Sequence, residues 1–411
     1  MRMPFRRVAP MLGALIVAAL ILHFAPRPAI GPPWMLALLA ALSLVWVIWQ
    51  PATTQRDDVL PALAVVLAGL GLAMVARLSP ALAQRQQLWL LLSLALVIAA
   101  GPALAQFRRF AAYKYLWVVA SLVLFILLLV LGEEVNGARL WIKIGPVEYE
   151  PIELIKLFIV FFLAAYLAEM ADVIANARLW SLRANVKYLG PLFIGWGASM
   201  AILLVQRDLG MATLLLATFA TMLFVATRRF DIVFFGALLF VAGAFWAVHH
   251  YPYVQTRIAV WRNPFSDPLG AGYQSSQAYY SLAAGGLLGS GYRLGHPEFI
   301  PDVATDYVYA AFSEEFGIIG ALVLLGIFLD LVRRIIATAL EQPDLYTKLL
   351  ATGLGATLGF QVVIIVSGVI GLLPLTGITL PFMSYGGSSL VANFLLVALV
   401  WGMSARPRTA T

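Results

Sequence analysis

Apolar runs of 17–22 residues recur from one end of this 411-residue chain to the other. At 1.5 Å per residue, each is long enough to cross roughly 30 Å of hydrocarbon. Composition points the same way: 62% of the residues are hydrophobic and 11% charged, whereas a soluble domain has roughly 45–50% apolar and about 25% charged residues. The fold class read from this is all-α, a polytopic membrane protein. There is no cysteine, which excludes disulfides and thiolate metal sites. The formal charge of +7 is spread over short loops, a pattern of membrane orientation and not of nucleic-acid binding.

Twelve spans are expected, at about 10–26, 33–50, 59–78, 87–106, 115–132, 152–169, 189–206, 209–227, 231–248, 309–332, 347–372 and 383–403. With the N-terminus inside, seventeen Lys and Arg fall in cytoplasmic segments and nine in external ones, with Lys156 inside a span. That bias places both termini in the cytoplasm. "MRMPFRR" followed by "MLGALIVAALILHF" has the form of a signal peptide, but Pro26, Arg27 and Pro28 make a poor cleavage site, so this segment is read as a retained span. The stretch "QPATTQRDD" sets two N-terminal helices, residues 1–58, apart from a core at 59–411. One long segment, about 249–308, lies outside the membrane on the external side. Its dense Trp, Tyr, Pro and Gly argue for order, and long loops of this kind are usually functional or disordered.

Ionisable groups within a span cost at least ~2.5 kcal/mol each on insertion scales, so they are functional candidates by default. Here most sit at the external ends of spans. Arg139 lies in "EEVNGARLWIKIGP". Glu153 and Lys156, at i and i+3, open the sixth span on one helix face and can pair. Gln206 and Asp208 belong to the turn "QRDLG", where Asp208 also suits a helix cap. Glu314 and Glu315 open the tenth span, where they also suit a helix N-terminus. Asp267 sits in "WRNPFSDPLGAGYQ", which is also ordinary turn chemistry. In "LPLTGITLPFMSYGGSSLVANF", Pro374, Gly377, Pro381, Gly386 and Gly387 break the backbone, and Ser384, Tyr385, Ser388 and Ser389 lie where the last helix begins. Such a helix start suits a phosphate; a Gly-rich turn with a serine cap is the plainer reading. His249, His250 and His296 have no third ligand at helical spacing, so no histidine metal site is assigned.

Four motifs in order carry a family resemblance: "NGARLWI" at 136–142, "WRNPFSDPLGAGYQ" at 261–274, "TDYVYAAFSEEFGIIG" at 305–320 and "PLTGITLPFMSYGGSSL" at 374–390. The chain resembles the shape, elongation, division and sporulation family, the FtsW/RodA/SpoVE polymerases of bacterial cell-wall synthesis, over roughly residues 59–403. Its two extra N-terminal spans resemble the family's longer variants. "YEPIEL" stands where the family usually reads F-Q-P-S-E, and "QRDLG" where Q-P-D-x-G is common. The resemblance implies a peptidoglycan glycosyltransferase that polymerises lipid II on the outer leaflet of the cytoplasmic membrane, for elongation or division. It also implies a class B penicillin-binding transpeptidase as partner, and a divalent cation as a possible aid. The essential loop aspartate maps onto Asp267, the family's Glu and Lys onto Glu153 and Lys156, and its arginine onto Arg139. Lipid II, the growing glycan strand and membrane lipid are then the ligands, and nucleic acid is not one.

A polyprenyl diphosphate leaves readily, so a single carboxylate base suffices, unlike the pair that glycoside hydrolases normally need. Asp267 is the expected base. A flippase of the same lipid, or a scaffold for the transpeptidase, is the competing reading. A flippase needs polar groups through the bilayer and on its inner side, whereas these gather outside.

Overall fold

In the computed structural model, residues 3–23, 33–48, 54–135, 138–145, 147–176, 190, 197 and 208–407 are described. The main helices are α1 (Met3–His23), α2 (Pro33–Ile48), α3 (Val59–Leu78), α4 (Pro80–Leu104), α5 (Lys114–Leu131), α6 (Ile152–Asn176), α7 (Leu209–Thr227), α8 (Phe230–His250), α9 (Pro252–Arg262), α10 (Tyr273–Gly285), α11 (Val308–Leu340), α12 (Leu345–Val369) and α13 (Gly387–Met403). Eight segments are long and apolar enough to cross a membrane; α1, α2 and α13 are shorter apolar helices. These match eleven of the twelve expected spans; of the seventh, 189–206, only residues 190 and 197 are described. The protein is an all-α polytopic membrane protein.

The chain forms two compact units. The first comprises Met1–Gly101, Phe245–Arg334 and Gln361–Thr411, and the second Pro102–Ala244 and Ile335–Phe360. In the first unit, α1 lies along α3. Trp46 of α2 meets Phe394 and Trp401 of α13 edge-on at 6.0 and 5.8 Å between ring centroids. The N-terminal helices are therefore packed into this unit through buried aromatic surface. In the second unit, α6 packs against α5 and α7, and Thr218 of α7 meets Thr357 of α12 at 3.3 Å. Helices α3, α6 and α12 are buried on most of their surface, whereas α5 and α8 are mostly open. A helix that is apolar all round does one of two things in a membrane: it packs inside the bundle or meets lipid.

Small strands also occur in this helical protein: β1 (Thr54–Gln55) pairs antiparallel with β5 (Arg406–Pro407). A three-stranded antiparallel sheet follows α5, with β2 (Glu133–Val135), β3 (Ala138–Ile144) and β4 (Val147–Tyr149) in sequence order. The alternation in "ARLWIKI" carries it. The segment at 249–308 is also not a plain loop, since α9 and α10 lie within it.

The tenth span is not continuous. Gly317 inside α11 has φ 67° and ψ −175°, a region open essentially to glycine alone. A break there strips four backbone groups of their helical partners. All four are re-paired by residues 286–291: the Ser290 and Gly291 N–H groups donate to the Glu314 and Glu315 carbonyls at 2.9 and 3.0 Å, and the Ile318 and Ile319 N–H groups donate to the Gly286 and Leu287 carbonyls at 3.0 and 3.2 Å. This is how an irregular backbone satisfies itself within a membrane protein. Replacing Gly317 with Ala forces a Cβ to within 2.4 Å of the Gly289 nitrogen and the Leu287 oxygen. We expect a cost of about 1–3 kcal/mol from the backbone alone, read as a melting temperature several degrees lower in detergent. Gly326→Ala in the same helix, where a Cβ meets nothing within 4 Å, is the control and leaves the melting temperature unchanged or raised.

Candidate active site

In the first unit, the segment around Asp267 is held from both sides. Helix α9 starts with Pro252, whose missing N–H is not needed at that position. Its far end is tied to the segment between α12 and α13: the Trp261 indole N–H donates to the Gly371 carbonyl at 2.9 Å, and Arg257 Nη1 to the Thr376 carbonyl at 3.3 Å. The turn that follows is closed by its own side chains. Asn263 Oδ1 accepts the Phe265 N–H at 3.2 Å, and Asp267 Oδ2 accepts the Ala271 N–H at 2.9 Å. Helix α10 then returns, its Ser276 hydroxyl donating to the Pro264 carbonyl at 3.3 Å. Asp267 is exposed. One carboxylate oxygen fixes the turn; the other accepts no hydrogen bond among the described residues.

The broken segment before α13 is fastened by residues far away in the chain. Ser384 Oγ accepts the Leu380 N–H at 3.0 Å and donates to the Thr305 carbonyl. The Tyr385 N–H donates to the Ala304 carbonyl at 2.8 Å. Gln86 of α4 spans the turn: its amide N–H donates to the Ser384 carbonyl at 3.1 Å and its oxygen accepts the Gly386 N–H at 3.4 Å. Gly387 opens α13 with the Trp89 ring so close that a Cβ there would lie 2.0 Å from it. Ser384 and Ser388 are buried, and Tyr385 and Gly386 half-buried. Amides in the first turn of α13 have no intrahelical carbonyl to meet, which keeps this turn suited to an anion. Beside it lies Asp306, whose carboxyl is pushed up to about 6, chiefly by burial and further by Asp302, against the opposing pull of the Thr305 hydrogen bond and Arg257.

Glu314 and Glu315 are buried at the start of α11. Arg77, at the end of α3, donates from Nε to Glu315 Oε1 at 3.0 Å and from Nη2 to the Gly295 carbonyl at 2.9 Å. Glu314 Oε1 accepts the His296 N–H at 2.7 Å. The two glutamates thus tie the 293–298 stretch to α3 and α11. The second oxygen of each is buried and accepts no hydrogen bond among the described residues.

In the second unit, Glu153 and Lys156 form an ion pair one turn apart at the start of α6. Lys156 is 0% exposed and Glu153 2%. In such a pair each charge offsets part of the other's desolvation cost in the low-dielectric interior. Tyr149, in β4 just before α6, has its phenol raised to about 12 by burial and by the carboxylates of Glu153 and Glu150, so it is neutral there. Asp208 caps α7, its carboxylate accepting the Met211 N–H at 2.9 Å. Arg139 lies in β3 opposite Glu134 of β2. Gln206 lies outside the described residues.

The structure therefore joins Glu153 to Lys156, and joins the 384–388 turn to the segment leading into α11. It also adds Arg77, Gln86, Trp89 and Asp306, which sequence reasoning did not single out. Arg77 and Gln86 lie at span ends and read locally as orientation charge and interfacial polarity. Asp306 lay in view within "TDYVY", but its burial is a property of the fold. Among the described residues, no group of three His, Asp or Glu is placed to hold a metal ion.

The family of FtsW, RodA and SpoVE, described as "Cell cycle protein", has a model that matches residues 58–409. The chain belongs to this family. Peptidoglycan glycosyltransferase RodA of Mycobacterium tuberculosis is 34% identical to it, over 97% of this chain and 90% of that protein. Stage V sporulation protein E of Bacillus subtilis is 38% identical, over 69% of this chain and 77% of that protein. Among solved structures, a chain from a peptidoglycan synthase complex that coordinates polymerization and crosslinking superposes with a TM-score of 0.66 at 31% identity, covering 84% of this chain and 96% of that one. The rod shape determining protein RodA of Thermus thermophilus gives 0.63 at 29% identity, covering 86% and 97%.

Proposed function

We propose that this protein is a peptidoglycan glycosyltransferase that polymerises lipid II into glycan strands at the outer leaflet, with Asp267 as general base. The membership of the family, with relatives named as peptidoglycan glycosyltransferases over almost the whole chain, supports the activity. The observation that carries the residue assignment is the braced, exposed turn that leaves one oxygen of Asp267 unused.

The polyprenyl tail keeps the donor in the bilayer, each buried CH2 contributing ~0.8 kcal/mol, so the sugar–diphosphate bond sits at headgroup level. Asp267 takes the proton from the acceptor sugar hydroxyl. That oxygen attacks the donor's anomeric carbon from the face opposite the diphosphate. The new glycosidic bond forms as the carbon–oxygen bond to the diphosphate breaks, inverting the anomeric centre, and the electron pair leaves on polyprenyl diphosphate. The start of α13, with Ser384 to Ser388, stabilises the departing charge; the family resemblance assigns Arg139 and Lys156 to that charge as well. Gln206, Asp208, Glu314 and Glu315 belong to the same substrate-binding set; the last two act through the segment they brace. A divalent cation fits only as an ion carried largely by substrate phosphates with one or two carboxylates. The multi-pass chain has both termini in the cytoplasm and the 249–308 segment outside, as the charge bias supports. A class B penicillin-binding transpeptidase is the partner that crosslinks the product. Relatedness to a chain from a synthase complex supports this.

Detergent-purified protein with labelled lipid II, with and without the transpeptidase, tests the reading. Glycan ladders on a gel are the expected result. A flippase or a scaffold makes no polymer there, because detergent leaves no two compartments to transport between.

A further inference from the structure

At the junction of α4 and α5 the chain turns through a 3-10 segment, Phe107–Tyr113, rich in aromatic and basic residues. An open, mostly apolar cleft of about 340 Å³ lies here, lined by Ala103, Gln106, Arg109, Phe110, Tyr113, Leu116 and Trp117. Its wall is fixed. The Trp117 indole N–H donates to the Phe110 carbonyl at 2.9 Å, and its ring packs against Phe110, Phe158 and Phe161 with centroids 5.4, 5.2 and 5.1 Å away. Tyr113 and Leu116 are exposed on a helix that is otherwise apolar, so this face meets lipid.

Two cations, Arg108 and Arg109, sit in the segment and a third, Lys114, opens α5; two of the three are engaged. Arg108 reaches Asp344 at 3.6 Å, and Lys114 pairs with Glu169. Arg109 has no ion-pair partner among the described residues, and it is the one that lines the cleft. A lone guanidinium at the mouth of a lipid-facing apolar cleft calls for a ligand with an anion at one end and hydrocarbon at the other. We propose that this cleft binds one anionic phospholipid, its headgroup phosphate on Arg109 and the upper part of an acyl chain along Phe110, Leu116 and Trp117. The charge bias puts this end of α4 at the cytoplasmic leaflet, where anionic headgroups and juxtamembrane cations meet. The site is independent of the polymerisation reading.

Native mass spectrometry of the full-length protein with phosphatidylglycerol or phosphatidylcholine tests it. Wild type retains one phosphatidylglycerol in preference to phosphatidylcholine. Arg109→Gln lowers phosphatidylglycerol occupancy about fivefold and leaves phosphatidylcholine unchanged. Ala103→Trp, which plugs the cleft from an exposed position, removes the retained lipid although Arg109 is intact. Arg108→Gln removes the same net charge and has no effect. Equal losses from Arg108→Gln and Arg109→Gln reduce the binding to surface charge and overturn the proposal. So does a lipid that persists in Ala103→Trp, or one displaced by millimolar inorganic phosphate, which marks a free-anion site.

Discussion

Asp267→Asn is expected to leave a protein that inserts, purifies and binds lipid II but makes almost no glycan. Asparagine keeps the shape of the side chain, and its carbonyl oxygen still accepts the Ala271 N–H that closes the turn. What it lacks is a basic oxygen. General-base catalysis typically contributes about 10²–10⁴-fold, or roughly 3–5 kcal/mol of barrier, so the polymer ladder should fall by that factor in a timed gel assay. Binding of labelled lipid II, measured separately on the same preparation, should change little. The exposure of Asp267 makes the experiment clean, since no buried partner is stranded by the substitution. Full activity in the Asn variant would falsify the base assignment and return Asp267 to the role of a turn residue.

The second large effect is expected at Glu153 and Lys156. Glu153→Gln removes the carboxylate that faces a fully buried ammonium, and Lys156→Met does the reverse. Breaking a buried pair from one side costs about 3–5 kcal/mol, so either variant should give poor yield, a much lower melting temperature in detergent and no detectable polymer. The double variant Glu153→Gln/Lys156→Met separates fold from chemistry. With both charges gone it should recover much of the stability lost in the single changes, since buried pairs are often replaceable by neutral groups. It should still be inactive, because the charge assigned at Lys156 to the leaving diphosphate is gone and Arg139 alone is left. A double variant that is stable and active would leave the pair with a structural role alone, and additive losses in the two single variants would contradict the coupling itself.

How much of this was legible beforehand depended on the range of the interaction. The pairing of Glu153 with Lys156 follows from their spacing of three on a helix, and the cap at Asp208 from its place just before α7. The turn at Asp267 follows from Asp-Pro-x-Gly. Each is decided within a few residues. By contrast, the tenth span read as one continuous helix because an isolated glycine in an apolar run is tolerated and gives no sign of its dihedral angles. The break at Gly317 becomes stable only because residues 286–291 offer two donors and two acceptors at matching heights. The sheet at 133–149 is short enough to be lost among loop residues.

Hydropathy and local pattern alone specified the helical membrane class, eleven of the twelve spans and the family motifs. Hydrophobic length is a one-dimensional property, and bilayer thickness turns it directly into structure. Which polar groups meet across long stretches of chain was settled by helix packing. Arg77 finds Glu315 across 238 positions, and Gln86 finds the Ser384 carbonyl across 298. A buried polar group must have a partner, but nothing local names it; the choice is made when helices pack and bring distant span ends within hydrogen-bond reach.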